Sequence, residues 1–199
     1  MATLTPTPTR DTRDRIIAAG TQVITEKGYH GCGLSEILRA AEVPKGSFYH
    51  YFKSKEDFGV AVIEDFVAHY GLKLSKKLTD RRLPALERLR RHYLDAVGWY
   101  EEHGYESTCL VAKLGMDVAS MSRDMQAAMK AGMDQWTSIL AKCLREAQAA
   151  GELDASWDAD PLAAFLMNAW EGAAVQTQIA RNTDAIHNFV ETVFDRILA

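Results

Sequence analysis

Cysteine is scarce in this sequence. Its 199 residues hold three, Cys32, Cys109 and Cys143, with no CxxC spacing. An odd number so placed excludes a disulfide framework and a zinc site. Reduced thiols in the cytoplasm are the expectation. Proline is scarce too, five in all. Pro6 and Pro8 fall in a Thr-rich start, so long windows remain unbroken. No uncharged apolar run reaches the ~18 residues of a membrane span. Met1 to Arg10 lacks a basic segment followed by an apolar one, so no signal peptide is read there. A positive surplus is also missing. Lys and Arg total 23 against 27 Asp and Glu, a net charge of -4. That excludes a generic nucleic-acid coat, whose domains have pI above about 9. A small basic patch on an acidic body remains open.

What is present is a soluble globular composition, 47% apolar and 25% charged. The length suits one large domain or two small ones. Such a chain buries enough surface to fold without a metal or a cofactor, and none is expected.

The apolar period is 3.6 throughout, with no alternating strand, so the fold class is all-α with about nine helices. Ile16, Ile17, Gly20, Val23 and Ile24 form a stripe ending at Lys27-Gly28, where Gly28 reads as the residue past a helix. A short helix follows from Leu34 to Ala41, then a break at Pro44-Lys45-Gly46, then a helix from Lys45 to Phe52. Ser54 and Asp57 resemble a capping box that opens a long helix to Leu78. Further helices start near Pro84, Ser107, Ser122, Pro161 and Thr183, and Gly151 ends the one from Ser122.

Leu34 to Phe52 has the spacing of a helix-turn-helix, whose second helix enters the DNA major groove N-terminus first. Gly46 permits close backbone approach. Lys45, His50 and Lys55 suit phosphates. Ser47 and Tyr49 can bond bases or phosphates, and most such contacts position rather than read. Phe48 and Phe52 read as core, and Tyr51 as part core, part phosphate contact. Arg13 reads equally as a basic arm or a solvated helix start. Residues 1–60 hold 8 Lys/Arg and 7 Asp/Glu, the remainder 15 and 20. The acidity therefore lies in the C-terminal body, and salt-sensitive, selective DNA binding is expected.

Lys27-Gly28-Tyr29, Ile37, Ala40-Ala41, Val43, Lys45-Gly46-Ser47, Tyr49 to Phe52, Lys55 and Phe58 together resemble the DNA-binding signature of the tetracycline-repressor family. The resemblance implies an arm at 1–9, a DNA-binding unit at 10–53 and a ligand-binding and dimerisation domain at 54–199. It adds Ser35 to the DNA contacts. It implies a homodimer on a palindromic double-stranded operator, released by a small-molecule inducer, and no membrane partner. Recognition helices in such dimers sit about 34–36 Å apart.

Two C-terminal features bear on dimer and inducer. Ile186, Phe189, Val190, Val193, Phe194 and Ile197 make a helical stripe, preceded by Leu162, Phe165, Leu166, Ala169, Ala173 and Ala174. Such stripes serve an intramolecular core or a four-helix interface. The resemblance favours the interface, with Phe165, Ala169, Ala173, Phe189, Val193 and Phe194 in it. Cys109 follows Ser107. If Ser107 caps a helix, the first-turn amides and Lys113 one turn on favour a thiolate. The plainer alternative is a small buried hydrophobe. Cys109-Leu110-Val111 with Trp170-Glu171-Gly172 is similar to the acrylate- and N-ethylmaleimide-responsive repressors of that family. This implies a ligand-sensing role for Cys109, with Lys113, Trp136, Trp170 and Glu171 as further pocket residues. Aromatic residues there equally suit plain core packing. A cysteine-dependent enzyme needs a positioned base, and no motif places His92 or His103 beside Cys109. A helical interaction protein without DNA binding is the other alternative. The intact Lys45 to Lys55 segment speaks against it.

Overall fold

The computed structural model describes residues 12–105, 114 and 122–199. The expected arm at 1–9, the helix start at Ser107, and Cys109 and Lys113 lie outside the described residues. Within them the chain is helical, with no strand. The order is α1 (Thr12–Gly31), α2 (Leu34–Ala40), α3 (Lys45–Tyr51), α4 (Lys55–Leu78), α5 (Ala85–His103), α6 (Arg123–Ala149), α7 (Ala159–Ala180) and α8 (Asp184–Thr192). α8 runs on as a π-helical turn, Val193–Ile197, closed by a Leu198 N–H bond to the Val193 carbonyl at 2.9 Å.

The ends follow local chemistry. Gly28 has φ 76 and breaks α1 after Lys27; a last turn carries the helix on to Gly31. The Ser54 hydroxyl accepts the Asp57 N–H at 3.1 Å. Asp57 reciprocates toward the Lys53 N–H at 2.9 Å, one residue earlier than the usual capping box. Gly151, with φ 73, ends α6 as a Schellman turn, the Glu152 N–H reaching the Ala147 carbonyl at 2.9 Å. Pro84 carries no cap hydrogen bond for α5. The Glu152 carboxylate supplies it instead, accepting from the Ala85 and Leu86 N–H groups at 3.0 and 2.9 Å.

One continuous core runs from Ile16 to Leu198. α4 is its spine. Its first turns carry Phe58 between α1 and α3, and its remainder lies along α6. The two helices approach closely because Gly132 lacks a Cβ. An atom there would lie 2.3 Å from Val67 Cγ2. The Trp136 indole N–H then donates to the Val67 carbonyl at 3.2 Å.

The C-terminal stripe needs correcting. Phe189, Val193, Phe194 and Ala173 are buried within the chain itself. Phe189 meets the rings of Tyr93 and Trp170 at 4.9 and 5.9 Å. They are core residues, because α8 lies across α5 and α7. Ala169 is half-buried against the same core. Phe165 is different, exposed at 48%, and Val175 and Ile179 on α7 join it. At i, i+10 and i+14 these three share one outer face of α7. Among the described residues no helix is long and apolar enough to cross a membrane.

Candidate functional site

The turn between α2 and α3 is built on Glu42, which sits at φ 53. This left-handed position costs a non-glycine residue of order 1 kcal/mol, and its bonds offset that. The Val43 N–H donates to the Leu38 carbonyl at 2.9 Å. The Arg15 guanidinium of α1 donates to the carbonyls of Ala41 and Glu42 at 2.6 and 3.2 Å. α1 thus fixes the angle between α2 and α3.

On α3, Phe48 points inward with no exposure. Its ring lies 5.2 Å from Phe52 and 5.6 Å from Phe58. The opposite face carries Lys45, Gly46, Tyr49 and His50, all exposed. They form two i, i+4 pairs on one surface. Tyr49 is 61% exposed, an unusual cost for an aromatic ring unless something covers it. Ser47 is half-buried, and Ser35 is exposed on the first turn of α2. A helix this short, with a flat outer face and a rigid aromatic floor, can be set into a DNA groove.

Lys55 is a correction. Its ammonium donates to the carbonyls of Tyr29 and Cys32 at 2.9 and 2.7 Å and lies 4.5 Å from the Tyr29 ring centre. Two of its three donors tie the end of α1 to the start of α4. It braces the head instead of offering a free cation to phosphate. Arg13, on the other side, stacks its guanidinium 5.5 Å from the Phe52 ring centre.

The C-terminal half holds a small enclosed cavity of about 20 Å³ between α4, α5, α6 and α7. Tyr70, His92, Tyr93, Trp136, Met167, Trp170 and Glu171 line it. Trp136 presents its ring, since its N–H is already bonded to α4. The Trp170 ring lies tilted against Tyr93, with centroids 5.1 Å apart. The Tyr93 hydroxyl and His92 Nδ1 are sealed from solvent without a hydrogen-bond partner among the described residues. His92 Nε2 lies 3.4 Å from the Tyr70 hydroxyl. Burial pushes the Glu171 carboxyl up to about 7. The sequence points to Trp136, Trp170, Glu171 and the aromatic Tyr93 as pocket candidates, but not to His92 as a lining group. Its position on α5 resembles that in any core stripe. An open depression of about 580 Å³ near the start of α5 is less promising. Its Arg88 pairs with Glu146 at 2.9 Å, its Arg82 with Asp80 at 2.5 Å, and Glu152 caps α5.

The buried His92 makes a prediction about acid stability. Burial first, then Lys77, lowers its pKa from 6.5 to about 4, against a smaller opposing effect of Asp95. Between those values the unfolded chain binds more protons, so stability falls as pH falls from about 6.5 to 4. The full gap corresponds to about 3 kcal/mol. The residue as a whole keeps some accessible surface, and screening there reduces this to roughly 1–2 kcal/mol. His92→Gln is expected to flatten the urea midpoint across that window. Equal slopes for variant and wild type would refute the burial argument.

The two described thiols are poor nucleophiles. Cys143 donates to the Ala85 carbonyl at 3.4 Å, and burial pushes it up to about 11. Cys32 donates to the Tyr29 carbonyl at 3.1 Å and is also raised by burial.

Known proteins match this arrangement along nearly the whole chain. The profile of bacterial regulatory proteins of the tetR family matches residues 16–62. The profile of the tetracyclin repressor-like C-terminal domain matches residues 85–193. The transcriptional regulator AcuR of Cereibacter sphaeroides is 41% identical over 177 residues, 89% of this chain and 81% of AcuR. The repressor NemR of Escherichia coli is 36% identical over 178 residues, 89% of each chain. The repressor DhaR of Mycobacterium sp. strain GP1 is 32% identical over 186 residues, 94% of this chain and 92% of DhaR. The crystal structure of reduced E. coli NemR superposes with a TM-score of 0.89, covering 94% of this chain and 96% of that one. These matches leave no ground for an enzyme built on Cys109: the chain is a DNA-binding, ligand-responsive regulator and belongs to the TetR family.

Proposed function

We propose that this regulator is a cytoplasmic repressor that holds a palindromic operator as a homodimer and releases it when a small electrophilic carbonyl compound reacts at Cys109. One observation carries the operator half of this reading. The face of α3 formed by Lys45, Gly46, Tyr49 and His50 is exposed, braced from behind by Phe48, and uncovered by the other described residues. Ser35 and Ser47 flank it and suit phosphate contacts.

The outer face of α7 supports the dimer. Phe165, Val175 and Ile179 are exposed apolar residues on one helix. Burying them against their two-fold copy removes a patch that a monomer would leave wet. The head at 10–53 and the body at 54–199 divide the work. α4 joins them, since Phe58 belongs to the core of the head.

The sensing half rests on Cys109, which follows Ser107 and Thr108 and precedes Lys113 by four residues, the spacing of one turn if Ser107 caps a helix. An N-terminal helix position and a nearby ammonium lower a thiol pKa. The other two cysteines are buried and raised. Among the relatives, the crystal structure of E. coli NemR is of its reduced form. A thiolate adds to the β-carbon of an unsaturated carbonyl and the α-carbon takes a proton, so the addition needs no oxidant. Trp170 and Glu171 line the enclosed cavity of the C-terminal half and suit the wall of a ligand pocket.

Fluorescence anisotropy on the palindrome nearest the gene, with and without an α,β-unsaturated ketone, tests this. Wild type is expected to release the operator as a mass shift of one adduct forms at Cys109. Cys109→Ser is expected to hold the operator at least tenfold longer at the same dose. Equal release from both proteins would remove the covalent step. Failure of wild type to bind any palindrome at low salt would remove the whole reading.

A further inference from the structure

The chain is acidic as a whole, yet residues 73–91 hold eight Lys/Arg against two Asp/Glu. They span the last turns of α4, the connection after it and the first turns of α5. Phe58 and the head lie at the other end of α4. Ion pairs absorb five of the eight cations. Lys77 meets Asp95, Arg82 meets Asp80, Arg88 meets Glu146, Arg90 meets Asp195 and Arg91 meets Glu87. Lys73, Lys76 and Arg81 are exposed and carry no ion pair among the described residues.

Beside this stretch an open groove of about 330 Å³ separates the end of α4 from α6. Its floor is apolar, made by Leu78, Ile139 and the Cys143 thiol, which is already bonded to the Ala85 carbonyl. Its sides carry donors. Ser138, Lys142 and Arg145 border it from α6 at i, i+4 and i+7, one helix face over successive turns. Ser75 borders it from α4. Neither serine hydroxyl is hydrogen-bonded among the described residues, and the Lys142 ammonium has no partner there. Arg145 meets Asp160 through Nη2 alone, so Nε and Nη1 still have donors to offer. Glu146, the acid on the rim, is neutralised by Arg88 at 2.9 Å.

We propose that this groove binds a phosphate monoester carried on a small apolar body. It shares no lining residue with the enclosed cavity around Trp170. The inference goes beyond the operator and electrophile reading and does not depend on it.

The donor set selects phosphate. Ammonium and guanidinium groups make short, charge-assisted bonds to phosphate oxygens, and the guanidinium edge matches two of them at once. The two hydroxyls serve the remaining lone pairs. A phosphate monoester turns three terminal oxygens toward donors arriving from two helices. A carboxylate has only two, in one plane. The floor selects the rest of the ligand. An apolar body covers Leu78 and Ile139, whereas inorganic phosphate leaves them wet. The volume is at the low end for small-molecule sites and is too small for a two-chain lipid. The positive stretch beside the groove raises the local concentration of anions.

Phenyl phosphate is the probe, titrated into the full chain without DNA at fixed salt and followed by calorimetry. Saturation is expected at millimolar concentration or somewhat below, as about eleven heavy atoms permit. Benzoate and inorganic phosphate are each expected to bind at least tenfold more weakly. Lys142→Gln is expected to weaken phenyl phosphate at least tenfold, and Ser138→Trp, which fills the groove, to abolish binding. Both positions are exposed, so the thermal midpoint without ligand is expected to stay put. Lys130→Gln makes the same charge change elsewhere on α6 and is expected to leave binding intact. Phosphatidic acid vesicles are expected to sediment without the protein. Several results would overturn the proposal. They are no saturation up to roughly 100 mM, benzoate or inorganic phosphate matching phenyl phosphate, and Lys142→Gln binding like wild type. Lys130→Gln losing as much affinity as Lys142→Gln would reduce the effect to overall charge. Pelleting with the vesicles would assign the basic end to a membrane surface instead. Since no operator or ketone is present, each of these outcomes leaves the regulator reading untouched.

Discussion

Phe58→Ala is expected to destabilise the chain by about 3–5 kcal/mol, the range for truncating a fully buried aromatic ring. For a protein of this size that lowers the thermal midpoint by roughly 10 °C. Phe58 has no exposure and joins Phe48 and Phe52 in a three-ring cluster, with centroids 5.2–5.6 Å apart. It is carried by α4 but completes the core of the head. A unit of some 40–50 residues has too little core of its own to tolerate the loss. Gly20 on α1 tests the packing from the other side. A Cβ there would meet Phe58 Cζ at 2.2 Å. Gly20→Ala alone therefore overpacks the head, costing about 1–3 kcal/mol. In the Phe58→Ala background the same methyl enters the vacated space and helps fill it. The double-mutant cycle is expected to show favourable coupling of at least about 1 kcal/mol in chemical denaturation. Additive effects would mean the two helices do not meet there.

The head was largely legible in the sequence because its determinants are local. The Ser54 cap needs only Asp57 three residues on. Gly28 and Gly151 announce positive φ by having no side chain. The inward face of α3 follows from the spacing of Phe48 and Phe52. Lys55 was misread because its partners, the carbonyls of Tyr29 and Cys32, lie 26 and 23 residues away. Nothing near Lys55 in sequence distinguishes an ammonium that braces two helices from one that meets phosphate. The Glu152 cap on α5 is hidden for the same reason. The dimer stripe failed differently. Apolar periodicity shows that a face is buried, not what buries it. Phe189, Val193 and Phe194 face their own chain, while Phe165, Val175 and Ile179 face outward. α7 is apolar on more than one side, which blurs the distinction. The cavity was half legible. Trp170 and Glu171 came from a resemblance, whereas the unpartnered atoms of His92 and Tyr93 emerge only once neighbours are in place.

Gly46→Leu is expected to abolish operator binding while leaving the fold untouched, a separation few positions allow. Gly46 sits in the first turn of α3, exposed, and a Cβ there would meet nothing within 4 Å. Glycine is a poor helix former, by about 1 kcal/mol relative to alanine. A larger residue therefore holds or raises the thermal midpoint, and the Phe48 side of α3 does not sense the change. In the complex the surroundings are different. The recognition helix leads into the groove with its N-terminal residues. An isobutyl group between Lys45 and Ser47 would hold the helix backbone off the DNA. It would also break the register shared by Tyr49 and His50 one turn later. Operator affinity is expected to fall at least a hundredfold, with Gly46→Ala in between, measured by anisotropy at fixed salt since phosphate contacts make affinity salt-dependent. Because each protomer of a dimer contributes one α3, the loss is felt in both half-sites. A Gly46→Leu protein that melts like wild type and still binds its operator would show that this end of α3 stays clear of the groove, and would move the reading surface toward Tyr49 and α2.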